Sequence, residues 1–159
     1  MVLSTAVGAT KKAALNANNA FDTDSAPWND TAPTSTVFTV GTKDATNKSG
    51  DEFIACCWHS VTGYSKIGSY NGSNYPITIT TGFQPRFLLI KRTNTSGNSW
   101  VIIDSAREIG SGADALFPDL SVAESSSWNT DFISTGFTIS SNESYISASG
   151  GEYIYMAFK

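Results

Sequence analysis

Arg86-Phe87-Leu88-Leu89-Ile90-Lys91-Arg92 and Trp100-Val101-Ile102-Ile103-Asp104 decide the fold. The first reads as a buried strand with charged ends, the second as its neighbour. Between them, Thr95-Ser96-Gly97-Asn98 supplies turn residues. Together they read as a β-hairpin. Working outward, Thr36-Val37-Phe38-Thr39-Val40, Glu52-Phe53-Ile54-Ala55-Cys56-Cys57-Trp58, Ile77-Thr78-Ile79-Thr80-Thr81, Phe137-Thr138-Ile139, Tyr145-Ile146-Ser147 and Tyr153-Ile154-Tyr155-Met156-Ala157-Phe158 also have strand character. Helix signals are poor. The best, Lys11 to Ala17, lacks an apolar stripe and is compatible with a loop. Many short strands at turn-marked intervals predict an all-β chain, an antiparallel two-sheet β-sandwich of jelly-roll-like form. The runs are too uneven for an up-and-down barrel.

Composition agrees. The chain has 159 residues, enough for one domain with its own core. Only 15% are charged and 12% are aromatic, which argues against disorder. Ser, Thr and Asn make up roughly a third, as turn-rich β proteins require. A net charge of −4 predicts no nucleic-acid partner. No stretch is long or apolar enough to insert in a membrane as a helix, and Met1 to Gly8 has no sustained apolar run to serve as a secretory signal. The adjacent Cys56 and Cys57 are expected to be free thiols filling the core.

Two parts of the chain resemble each other, at about 15–58 and 116–158. Trp28-Asn29 recurs as Trp128-Asn129, Phe38-Thr39-Val40 as Phe137-Thr138-Ile139, and Ser49-Gly50 with Glu52-Phe53-Ile54 as Ser149-Gly150 with Glu152-Tyr153-Ile154. The repeat predicts that Ile54 and Ile154 are equivalent core positions, and that Trp28 and Trp128 cap the core of their units. The second copy has an upstream hairpin. The first is preceded only by residues 1–14, expected to form an arm, so the sheet edge at Thr36, Phe38 and Val40 is predicted to be open unless that arm lies across it. An open edge invites a strand from another subunit.

Signals for catalysis are weak. The single histidine, His59, has no nucleophile elbow to serve and reads as a strand-end residue. Neither it nor the two cysteines has a metal-chelating spacing. Asp22-Thr23-Asp24 with Asp30 lacks the remaining ligands of a calcium loop. Glu52 and Glu152 occupy equivalent repeat positions and read as structural. Gly110-Ser111-Gly112 lacks the rest of a phosphate-binding pattern. No cofactor is expected, and no enzyme activity. The candidate ligand or interface loop is Tyr64, Tyr70, Asn71, Asn74 and Tyr75, where aromatic rings could stack on sugars while amides take their hydroxyls.

Trp28-Asn29-Asp30-Thr31-Ala32-Pro33-Thr34-Ser35-Thr36-Val37-Phe38-Thr39-Val40-Gly41 resembles a segment of a domain of unknown function common in tailed-bacteriophage virion proteins. Gly63 to Gly72, Thr81 to Arg92, Trp100 to Ser105 and Ala148 to Phe158 resemble it too. The resemblance implies a β-rich fold, a place on the virion surface and no known catalytic residues. Longer relatives carry a hairpin before the Trp-Asn segment. The expected role is a virion structural protein, as a tail fibre module or head or tail decoration protein, attaching multivalently. Its expected partners are other virion proteins and further copies of itself, with a trimer implied by the usual symmetry of similar fibres. The alternative is a carbohydrate-binding module for host surface glycans, and after it a glycan depolymerase.

Overall fold

In a computed structural model, residues 1–107 and 113–159 are described. They form an antiparallel all-β sandwich. The strands are β1 (Lys11–Lys12), β2 (Asp22–Thr23), β3 (Ser65–Asn71), β4 (Ile77–Thr80), β5 (Phe87–Arg92), β6 (Val101–Asp104), β7 (Ala113–Leu116), β8 (Ser125–Trp128), β9 (Thr130–Ile133), β10 (Gly136–Ile139) and β11 (Glu152–Phe158). One short helix, α1, spans Asp44–Asn47. A six-stranded sheet has the order β3-β11-β5-β6-β7-β8, and a three-stranded sheet the order β4-β10-β9. The expected hairpin is β5–β6, with Leu88 opposite Ile103 and Ile90 opposite Val101. Gly97 carries its turn at φ +82°, a left-handed conformation that side chains disfavour.

The main core lies between the two sheets. Leu88, Ile90, Val101, Ile103, Tyr153, Tyr155 and Ala157 meet Ile79, Phe132, Phe137 and Ile139 from the smaller sheet. Strand alternation divides the large sheet's two faces. Ile154, Leu89 and Trp100 therefore lie on the opposite face, where they form a second cluster with Ala13, Phe21, Val2 and Val7 of the N-terminal segment. Several hydrogen bonds fasten that segment. The Trp100 indole N–H donates to Ala14 O (2.9 Å), Phe21 N–H to Thr93 O (2.9 Å), and Gly97 N–H to Asn18 O (3.0 Å).

Lys91 belongs to this face and is fully buried. Its ammonium donates to the carbonyl oxygens of Asn98 (2.5 Å) and Asn18 (3.5 Å). Burial pushes its pKa down to about 8, the charge of Asp119 acting weakly the other way. Both neutral acceptors are backbone groups, so the ammonium is solvated but not neutralised.

Several expectations are corrected. Thr36–Val40 and Glu52–Trp58 form no strand, and Tyr145–Ser147 lies in a turn. The first two have the composition of strands, but no neighbouring strand of the chain pairs with them. Ile146 is still fully buried, since the turn presents it to the core while Ser147 Oγ donates to Ser141 O. The repeat equivalence of Ile54 and Ile154 fails in burial, at 95% and 9% exposed. Cys56 and Cys57 are exposed free thiols and fill no core. Lys11–Ala17 contains β1, not a helix. Trp28 and Trp128 are both buried, but only Trp128 packs into the main core; Trp28 belongs to neither cluster. The Gly110-Ser111-Gly112 loop lies outside the described residues.

Candidate assembly surface

The residues singled out as a ligand loop do not converge. Tyr70 and Asn71 belong to β3, an edge strand. Tyr70 packs against the main core, stacked on Tyr153 at 5.1 Å, and its hydroxyl donates to Ile146 O at 2.6 Å. Burial, reinforced by the neighbouring Tyr153 and Tyr155 hydroxyls, holds its pKa well above the ordinary tyrosine value. It is therefore a structural residue, not a ring offered to a sugar. Tyr64 and Tyr75 are 60% and 51% exposed and Asn71 and Asn74 are exposed. Tyr64 and Asn71 flank β3, roughly 20 Å apart by strand rise. A cavity of 110 Å³ beside Ser69, Tyr70, Asn71, Glu152 and Tyr153 is small against the roughly 300 Å³ minimum of ligand pockets.

The chemical candidates also separate. His59 is exposed, and its Nδ1 lies 3.0 Å from Ser60 O. Asp22 pairs with Lys12 (2.8 Å) and Asp24 with Lys43 (3.1 Å). The Lys43 ammonium, with the Ala26 N–H, holds the Asp24 carboxyl below its usual range. Among the described residues no three His, Cys, Asp or Glu side chains gather as a metal site. Glu52 and Glu152 are both exposed; Glu152 starts β11 opposite Asn71.

The predicted open edge at Thr36, Phe38 and Val40 is not a sheet edge. Thr36, Val37, Phe38 and Val40 are exposed on a lobe whose turn is held by Thr34 and Val37. The lobe is closed by Gly41 N–H to Pro27 O (2.8 Å) and Lys43 N–H to Ala26 O (3.1 Å). Within it the buried indole nitrogen of Trp28 has no hydrogen-bond partner among the described residues.

What the sequence reading missed is where the chain leaves apolar surface uncovered. Every residue from Lys48 to Tyr64 is exposed, and from Asp51 to Ser60 the backbone is irregular. This stretch contains Phe53, Ile54 and Trp58, the last 58% exposed. It runs directly into β3. Val61 and Ser65 form an antiparallel bridge, each N–H donating to the other's carbonyl (3.0 and 2.9 Å). The next outward position is Ile67, whose N–H donates to Ser60 Oγ (3.0 Å). Asn71 and Ser69 follow on the same outward side. Their even-numbered neighbours face β11, as the Lys159 N–H to Tyr64 O and Gly72 N–H to Gly151 O bonds show. The structure thus contains a β-hairpin started at Val61–Ser65 and left unfinished, preceded by an apolar strand sequence that pairs with no described strand. The signal available in sequence was the pattern Glu52 to Trp58 itself. It was read correctly as apolar on both faces, and wrongly as already buried.

The chain belongs to the family described as Domain of unknown function (DUF7483), which matches residues 1–159. No curated protein and no solved structure matches it.

Proposed function

We propose that this protein is a structural module of a bacteriophage virion, a tail fibre module or a head or tail decoration protein, acting by multivalent attachment and not by catalysis. One observation carries the reading: the uncovered apolar stretch Asp51–Ser60, which leads through the Val61–Ser65 bridge into the edge strand β3. Exposed apolar surface of this extent marks an interaction site in soluble proteins. A repeated particle turns weak contacts of this kind into firm ones, because each further contact is intramolecular once the first is made. The phage setting comes from the sequence resemblance of Trp28–Gly41, Gly63–Gly72 and Ala148–Phe158. Electron micrographs of particles labelled with an antibody to this chain test it. Label at one repeated position is the expected result. Unlabelled particles from a lysate rich in the chain would overturn it.

A second reading rests on the exposed rings of Tyr64 and Tyr75, with Asn74 near Tyr75 in sequence. They suit weak stacking on host surface glycans, which could coexist with a virion role. Binding on a glycan array that disappears in Tyr64→Ala or Tyr75→Ala would establish it. Release of reducing ends from host polysaccharide would instead favour a depolymerase.

A further inference from the structure

We infer that Glu52–Trp58 is an unfilled central strand, and that a second copy of this chain fills the vacancy by pairing the same segment against it about a two-fold axis. The inference rests on the reading of the chain as an assembly module and names the partner. The first argument is the sequence of the segment beside that of β11. Glu52-Phe53-Ile54-Ala55-Cys56-Cys57-Trp58 matches Glu152-Tyr153-Ile154-Tyr155-Met156-Ala157-Phe158 in its acid, its aromatic ends and its isoleucine. β11 is a central strand, paired on both sides by β3 and β5. Apolar residues on both alternating faces are what a central strand needs and what an edge strand avoids.

The second argument is register. The Val61–Ser65 bridge sets the pairing of everything before it in an antiparallel hairpin. Continued, it places His59 opposite Ile67, Cys57 opposite Ser69 and Ala55 opposite Asn71. Those are the outward-facing positions of β3; the Ser60 hydroxyl, which now takes the Ile67 N–H, gives it up to the His59 carbonyl as the ladder extends. The segment then becomes a seventh strand of the large sheet. Its own outer edge is still open, and its faces are still apolar.

The third argument is area and charge. Phe53, Ile54, Trp58, Val61 and Tyr64 leave about 600 Å² exposed at the fractions observed, taking a large side chain as roughly 150–250 Å². Pairing the two segments covers the strand backbone and the side chains that meet across the axis, the part of this surface that counts toward the ~800 Å² per partner of a stable interface. An antiparallel pair of identical strands is self-complementary and closes as a dimer. With Ala55, the smallest side chain of the run, on the axis, Asp51 of each copy faces the partner's His59. A like-charged Asp51–Glu52 meeting is avoided. This two-fold contact replaces the threefold arrangement that the resemblance implied.

The test is sedimentation velocity of the full chain over a dilution series, with Ile54→Asp beside it. Ile54 is 95% exposed in the single chain, so the variant folds as the wild type does, which its melting curve verifies. Dimers, or even-numbered assemblies, are expected at ~100 µM, with Ile54→Asp weakening association at least about tenfold. The Ala55→Cys variant, in a Cys56→Ser, Cys57→Ser background, should oxidise to a covalent dimer. Wild-type protein that stays monomeric, a trimer, an assembly unchanged by Ile54→Asp, or a dimer without the cross-link each overturns the proposal. Particle labelling decides the virion reading separately, so the two can fail independently.

Discussion

Replacing Lys91 by Met should abolish a rise in stability between pH 8 and about 10 that the wild-type protein shows. The ammonium is buried against two carbonyl groups, and its pKa falls from the ordinary 10.5 to about 8. The folded chain therefore holds fewer protons here than the unfolded chain across that interval. Stability rises with pH wherever the unfolded state binds more protons. Below pH 8 both states carry the charge and the cost of burying it is fully felt; above 10.5 neither does. At about 1.4 kcal/mol per pH unit, the whole effect is at most about 3.5 kcal/mol. Tyr70, Tyr153 and Tyr155 act the other way at the top of the range. Burial raises their pKa values, so stability falls once unfolded tyrosines ionise above about pH 10. Urea denaturation at pH 7, 8, 9 and 10 measures the slope. Lys91→Met loses two hydrogen bonds as well as a charge, so the slope and not the level carries the comparison. A wild-type stability that is flat or falling from pH 8 to 9.5, or a Lys91→Met slope equal to the wild-type one, would refute the reasoning.

Ile154→Ala should cost about 2–5 kcal/mol, as a large-to-small change in a filled site does. Ile54→Ala, measured in dilute monomer, should stay within about 0.5 kcal/mol; chemical denaturation of both separates them. Tyr70→Phe should lose about 1–3 kcal/mol, because Ile146 O is left without its hydroxyl donor; the same denaturation reads it. Gly136→Ala should cost about 1–3 kcal/mol, because a Cβ there falls on the Ile79 carbonyl oxygen of the paired strand. A lower Tm without loss of the β spectrum is the expected result.

Sequence was most informative where one segment carried both halves of an interaction. Leu88 and Ile90 face Val101 and Ile103 across a turn containing Gly97, so the β5–β6 hairpin was legible from about twenty residues. β4 was legible for its alternation, and β10 and β11 for their β-branched and aromatic runs. β3 was not, because Ser65-Lys66-Ile67-Gly68-Ser69-Tyr70-Asn71 has the polarity of a loop; it is a strand because β11 pairs with all of it. Thr36–Val40 and Glu52–Trp58 failed for the converse reason. Their composition specifies one side of a ladder, and in the folded chain neither segment is paired with another strand. Of the candidate loop, Tyr64 and Tyr75 were placed on the surface correctly. Tyr70 was misplaced because its anchor, Ile146 O, lies 76 residues away.

The position of β11 has a consequence for how the domain is made. It is the last strand in sequence and the one that joins β3 to β5. Asn71 waits roughly 80 residues for its partner Glu152, and ordering a chain over such distances slows folding. Synthesis that stops before Tyr153 leaves β5-β6-β7-β8 with an unpaired edge at β5, and β3 with no neighbouring strand. Such a fragment exposes two unpaired edges and the core aromatics together, the combination that drives aggregation of incomplete chains. Losing β11 would therefore strip residues from both hydrophobic clusters at once, since Tyr153 and Tyr155 belong to one and Ile154 to the other.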